Sequence, residues 1–194
     1  MSQAISAPDL AAIFREPVHE VWLEIGFGAG EHLVWQAQHH PQAGIIGAEP
    51  YLNGVVAALS QIETLNVGGR TRIHADDVLS LLNWLPEASL SRIFVLFPDP
   101  WPKKRHRERR IFSPRLLDKL SRLVRPGGEL RFASDIADYA EEAIEHATAH
   151  KGFEIAQTFT SQNRDAVSDW PVTRYERKAA TQGRSSTFVS LRRT

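Results

Sequence analysis

The sequence predicts an α/β fold, a single domain whose mostly parallel β-sheet carries helices on both faces. Three observations predict it. Short apolar segments alternate with longer amphipathic stretches along most of the chain. A glycine-, proline- or acid-containing turn follows each of the first five apolar segments, at the strand ends where open parallel sheets bind their ligands. The length of 194 residues, with 42% apolar and 24% charged side chains, suits one domain with a substantial core.

Val21-Trp22-Leu23-Glu24-Ile25 reads as the first strand and runs into Gly26-Phe27-Gly28-Ala29-Gly30, with a helix from Glu31 to about Gln38. Gly44 to Ala48 reads as a second buried strand ending at Glu49-Pro50. Asn53 is a candidate cap for a helix to about Leu65, with Val55, Val56, Leu59 and Ile62 on its apolar face. Thr71 to Ala75 is a weaker third strand, closed by Asp76-Asp77 and followed by a short helix carrying Leu79, Leu82 and Leu85. Arg92 to Phe97 is the fourth strand. Ser113-Pro114 supplies a hydroxyl cap and a first-turn proline to a helix that ends near Val124, because Pro126-Gly127-Gly128 cannot continue it. Glu129 to Ala133 is the fifth strand, Ala137 to His150 the next helix, and Phe153–Phe159 and Thr187–Arg192 the last two strands. A short segment, 1–20, precedes the domain over 21–194.

Several classes are excluded early. There is no cysteine, so disulfides, thiolate metal sites and a cysteine nucleophile are ruled out, and no metal is expected. Met1 to Leu10 lacks a basic lead and a signal-length apolar stretch, and Ile93–Phe97 is too short to span a bilayer. A cytoplasmic protein without a membrane partner is the expectation. Lys plus Arg balances Asp plus Glu at 23 each, but Lys103 to Arg110 holds six fixed positive charges against one negative. A neutral chain with one basic place suits local docking of a polyanion.

Gly26, Gly28 and Gly30 form G-x-G-x-G between a strand and a helix, where glycine permits tight turning and close ligand approach. A dinucleotide fold expects G-x-G-x-x-G with room for a pyrophosphate at the helix start. Here Glu31 stands at that start and Glu24 precedes the glycines, so a pyrophosphate would meet like charge. S-adenosylmethionine, with an ammonium, a sulfonium and two ribose hydroxyls but no phosphate, fits these acids better. Glu49, at the end of strand two, can accept the ribose hydroxyls. Asp76 at the end of strand three can accept from an adenine amino group, with Asp77 as the alternative; either acid can equally be solvated surface.

Phe97-Pro98-Asp99-Pro100-Trp101-Pro102 follows strand four, and its prolines hold Asp99 on a stiff loop. Trp101 offers a flat face for a purine, or a packed core side chain. The basic run beside it makes a phosphate-binding rim, with Lys103 near enough to touch a target nucleotide. Asp135 ends strand five, and Thr173-Arg174-Tyr175-Glu176 combines hydroxyl, cation, ring and acid. That last segment reads either as part of an irregular tail closing over RNA or as an ordinary surface turn. A nicotinamide oxidoreductase and a non-catalytic RNA-binding module are the competing classes; the first conflicts with the glycine spacing, and the second needs no acid-ringed pocket.

Four segments, Leu23–Gly30, Phe97–His106 with Arg109-Arg110, Ala133–Asp135 and Thr173–Glu176, resemble the bacterial tRNA (guanine-N7-)-methyltransferase family. The proline–acid–proline–tryptophan core with its basic continuation is the specific part. The resemblance implies a Rossmann-like class I S-adenosylmethionine-dependent methyltransferase domain of seven strands, the last antiparallel. It implies tRNA as partner, a guanosine of the variable loop as target and S-adenosylhomocysteine as product. By motif position, Glu24, Gly26, Gly28, Gly30, Glu49, Asp76 and Asp99 correspond to donor-binding residues, with Asp99 also catalytic. Lys103, Asp135, Thr173, Arg174, Tyr175 and Glu176 correspond to substrate contacts. The family's Thr-Lys-Phe-Glu stands here as Thr-Arg-Tyr-Glu, which keeps cation and ring, and Asp77 occupies a place where a small residue is expected.

Overall fold

The structure, a computed structural model, describes residues 9–166 and 169–194, so the first eight residues of the expected 1–20 segment lie outside the described residues. Seven strands form one sheet: β1 (Glu20–Ile25), β2 (Ala43–Ala48), β3 (Thr71–His74), β4 (Leu90–Leu96), β5 (Val124–Ser134), β6 (Phe153–Thr160) and β7 (Thr187–Arg193). Their order is β3-β2-β1-β4-β5-β7-β6. Neighbours from β3 to β5 run parallel, and β7 lies antiparallel between β5 and β6. The mostly parallel sheet and the antiparallel last strand agree with the sequence expectation.

Strand order reverses between β1 and β4, and the register there sets the site. Ile25 pairs with Ala48 on one side and Val95 on the other. The chain therefore leaves β1, β2 and β4 at one level, bringing Gly26, Glu49 and Phe97 to a common edge. This is the crevice in which open α/β sheets bind ligands.

The helices are α1 (Glu31–His39), α2 (Leu52–Thr64), α3 (Val78–Trp84), α4 (Pro114–Leu123), α5 (Ala137–Ala149) and α6 (Arg174–Thr181). Strand alternation divides the core into two layers. Leu23, Ile25, Ile93, Val95 and Phe132 pack against α3, α4 and α5, joined by Leu10 and Phe14 from the 3-10 turn Leu10–Ile13 and the residue after it. Trp22, Ile45 and Phe94 face the other way, under α1 and α2, and Phe188 of β7 continues that layer against Phe159 and Trp170. α4 starts as its sequence dictates, with Ser113 Oγ accepting from the Leu116 amide at 3.4 Å and Pro114 in the first turn.

Three local expectations need correction. Asn53 lies inside the first turn of α2, whose cap position is Tyr51. The buried face of α2 is Val55, Ala58 and Ile62, while Val56 and Leu59 are 59% and 49% exposed, because they sit about a quarter-turn round from the sheet. Finally, Arg174–Thr181 is helical rather than an irregular tail or a turn. Thr173 is its N-cap, with Oγ1 accepting from the Glu176 amide at 3.4 Å.

Candidate functional site

The turn after β1 is built on left-handed backbone. Gly26, Gly28 and Gly30 have φ of 73°, 57° and 85°, a region closed to most side chains. Its other requirement is closeness: a Cβ on Gly54, in the first turn of α2, would lie 2.4 Å from the Gly28 carbonyl oxygen. The turn is then fastened by Glu49, which is 5% exposed. Glu49 Oε2 accepts from the Gly28 amide and Oε1 from the Tyr51 amide, both at 2.9 Å. One carboxylate thereby joins the end of β2, the glycine turn and the start of α2.

Above this floor opens a cavity of about 580 Å³, within the usual range for a small-molecule site. Gly26, Gly28, Glu49, Tyr51, Asp77 and Asp99 are among its lining residues, with Trp101, Arg109, Arg174 and Tyr175 closing the far side. Of the two acids expected after β3, Asp76 with Asp77 as its alternative, the wall carries Asp77. Asp76 Oδ1 accepts from the Asp77 amide at 2.7 Å, and Asp77 caps α3 by accepting from the Leu79 amide at 2.9 Å. Capping α3 brings the second acid, not the first, to the crevice.

Glu24 departs from the expected single ring of acids. It lines a small adjoining cavity of about 20 Å³, together with Gly26, His32, Phe97, Arg174 and Tyr175. Period-two alternation puts Glu24 on the same face of β1 as Trp22, the face covered by α1. It is 3% exposed, and its Oε2 lies 2.8 Å from His32 Nδ1. The two cavities share Gly26, Phe97, Arg174 and Tyr175. The Tyr175 hydroxyl lies 2.9 Å from where a Gly28 Cβ would stand, and the Tyr175 ring stacks on Phe97 with centroids 6.1 Å apart. Glu24 and Glu49 thus stand on either side of Tyr175.

Asp99 is exposed and sits on a loop with an unusual backbone at both ends. Phe97 and Trp101 have φ of 50° and 42°. Non-glycine residues held there store about 1–3 kcal/mol each, which surrounding contacts must sustain. Arg110 is one such contact: its Nε donates to the Pro100 carbonyl at 2.9 Å. It is 3% exposed, pairs with Asp138 and Glu142 of α5, and lies over the Tyr139 ring at 4.6 Å. Burial disfavours its charge, but the two carboxylates outweigh this and raise its pKa. Burial also pushes the Tyr139 phenol up to about 12, so its hydroxyl stays protonated near neutral pH; its oxygen accepts from the Phe112 amide at 3.1 Å.

The basic run forms a 3-10 turn over Lys104–Arg109. It is not the uniform rim of six cations expected. Arg110 braces the Asp99 loop, Arg107 pairs with Asp138, and Arg109 lies 5.0 Å from the Trp101 ring. Lys103, Lys104 and Arg105 are exposed. Lys103 and Asp135 are outside the cavity wall, and Asp135 accepts from Arg184 Nε at 2.9 Å. Thr173 and Glu176 are buried at the start of α6, and Thr173 borders the smaller cavity. Among the described residues no group of three or more His, Asp or Glu is arranged to hold a metal ion, and no helix is long and apolar enough to cross a membrane.

Sequence reasoning missed the cavity roles of Tyr51 and Gly54 and took Glu31 only as a repulsive charge. An aromatic two residues past a strand-end acid and a glycine opening the next helix were the available signals for the first two. Glu31 Oε2 accepts from the Arg174 amide at 2.9 Å. Nothing in the sequence announces that contact.

A seven-stranded sheet of this order with an acidic crevice over a glycine turn defines a Rossmann-like methyltransferase domain. The same fold occurs in an rRNA methylase from Streptococcus thermophilus, with a TM-score of 0.61 at 11% identity, covering 95% of this chain and 91% of that one. A family model described as "Putative methyltransferase" matches residues 18–189. A tRNA (guanine-N(7)-)-methyltransferase of Paramagnetospirillum magneticum is 45% identical over 198 residues, covering 100% of this chain and 82% of its own. Another, from Rhodospirillum rubrum, is 46% identical over 185 residues, covering 95% and 72%. The chain belongs to the tRNA (guanine-N(7)-)-methyltransferase family.

Proposed function

We propose that this protein transfers a methyl group from S-adenosylmethionine to N7 of a guanosine in the variable loop of tRNA, in the cytoplasm. The observation that carries the reading is the placement of Asp99. It stands on a strained, proline-held loop at the wall of an acidic cavity, directly before exposed cations.

The cavity chemistry fits the donor. Its floor is free of side chains at Gly26, where an added Cβ would meet nothing within 4 Å. Glu49 is held in place by two amides, keeps lone pairs for ribose hydroxyls, and is the residue assigned to them. Asp77 takes the adenine-side role first assigned to Asp76, and Glu24 is assigned to the ammonium group. The bound donor supplies an electrophilic methyl on a sulfonium: the N7–C bond forms as the S–C bond breaks, leaving S-adenosylhomocysteine and a cationic purine.

Guanine N7 already carries a lone pair, so the protein needs no base to create the nucleophile. Its task is alignment of the reacting atoms at near-attack distance. Asp99 stabilises the positive charge arriving on the purine, a preorganised electrostatic role. Lys103, Asp135 and Thr173–Glu176 hold the nucleotide and its phosphates, with Asp135 exchanging or sharing its Arg184 partner. Incubation of the protein with labelled S-adenosylmethionine and unmodified tRNA, followed by nucleotide mapping, tests the reading. The expected product is 7-methylguanosine in the variable loop. Unlabelled RNA would favour a non-catalytic binding module.

A further inference from the structure

We propose that Glu31 is a positioning residue that seats the RNA-facing segment Thr173–Glu176 against the donor-binding turn. The inference rests on the methyltransferase reading above and adds a residue to it. Glu31 is the first residue of α1, and Gly30 of the glycine turn is the N-cap of that helix. Its Oε2 accepts from the Arg174 amide at 2.9 Å and from Arg177 Nη2 at 3.4 Å. Arg174 is the first residue of α6, so this amide has no acceptor within its own helix. Thr173 satisfies the amide of Glu176, and Glu31 satisfies that of Arg174. A carboxylate at this place also faces the positive end of the helix dipole. The Arg177 side chain is mostly in water, so the ion pair adds little and the backbone contact is the operative one.

A second tether comes from the same helix. Gln36 Nε2 donates to the Asp169 carbonyl at 2.9 Å and lies 3.0 Å from His32 Nε2. The stretch from Asp169 to Arg174 is therefore held to α1 at both ends. Adjacent residues of α1 reach opposite ways: His32 to Glu24 and Glu31 to α6. Between these contacts, Arg174 and Tyr175 stand on Gly28 and separate the two cavities. Their height above the glycine turn is set by how the start of α6 is held. Glu31 borders the smaller cavity, and removing its carboxylate frees that start, with Arg174 and Tyr175, while Glu49 and Asp77 keep their own contacts, and Asp99 its own loop, elsewhere in the wall.

Two variants and three measurements test this on the full chain. Glu31→Ala is expected to lower kcat/KM for tRNA by roughly fivefold, the size of a lost helix cap, chiefly through KM. The dissociation constant for S-adenosylmethionine, measured by calorimetry without RNA, rises by clearly less than the loss in tRNA efficiency. Hydrogen exchange at 173–177 speeds up while exchange in α1 does not. Glu31→Gln keeps an oxygen for the Arg174 amide and restores most of the tRNA efficiency. Equal loss of donor affinity and tRNA efficiency would make Glu31 a donor ligand and overturn the proposal, as would unchanged exchange at 173–177. Wild-type protein that methylates no tRNA would instead overturn the methyltransferase reading itself.

Discussion

Glu49 and Gly28 are joined by a hydrogen bond of 2.9 Å from the glycine amide to the carboxylate, and the second Glu49 oxygen is taken by Tyr51 at the same distance. The acid at the end of β2 is therefore a structural clamp on the glycine turn as well as the proposed ribose ligand.

That double engagement makes the amide analogue a poor substitute. Glu49→Gln turns an NH2 toward one of two backbone N–H donors, so one of them loses its acceptor. Both Glu49→Gln and Glu49→Ala are expected to weaken S-adenosylmethionine binding by roughly ten- to a hundredfold, the range for a hydrogen bond to a charged group. Calorimetry checks it. Near wild-type affinity in Glu49→Gln would show that the clamp is dispensable.

Asp99→Ala is expected to lose turnover by about a hundredfold or more, the scale of one preorganised electrostatic contact. Donor affinity should fall much less. Single-turnover kinetics with saturating donor separates the two, and parallel losses would reduce Asp99 to a donor ligand.

The basic segment should divide by environment. Lys103→Ala, Lys104→Ala and Arg105→Ala are each expected to lower the salt-dependence slope of tRNA binding by somewhat under one. Arg110→Met should leave that slope unchanged, because its guanidinium is buried between Asp138 and Glu142. It should instead destabilise the fold by about 2 kcal/mol, less than a fully buried pair because both carboxylates remain partly in water. Urea unfolding and binding titrations across salt concentrations decide between these outcomes.

A charge network away from the cavity sets acid sensitivity. Burial alone would raise the Glu129 and Asp169 carboxyls, but hydrogen bonds and charge from Arg131, with Arg92 nearby, outweigh it and hold both below the usual range. Carboxylates depressed in the folded state contribute stability above their unfolded pKa of about 4 and lose it as pH falls through the folded values. Unfolding free energy should therefore drop below pH ~4, and Arg131→Met should flatten that drop while lowering stability at neutral pH. An unaltered pH profile in the variant would remove Arg131 from the account.

Much of the fold was legible because its signals are local. Apolar segments ending in glycine, acid or proline announced the strands, and Ser113-Pro114 announced α4. α6 was missed because it has almost no apolar face: its buried residues are the carboxylate Glu176 and the small Ala179. In α2, four apolar residues were read as one face, yet only two of them meet the sheet, since residue type does not say how a helix is rotated on its neighbour.

By itself the sequence determined the strand–helix alternation, the glycine turn and the acids and prolines at the strand ends, because each is encoded within a few consecutive residues. The tertiary structure alone decided that Asp77 rather than Asp76 reaches the cavity, that Glu24 lies behind Tyr175, that Arg110 is a brace, and that Glu31 meets the start of α6. Those outcomes depend on strand alternation, helix rotation and contacts between residues as far apart as Glu31 and Arg174, which no local pattern specifies.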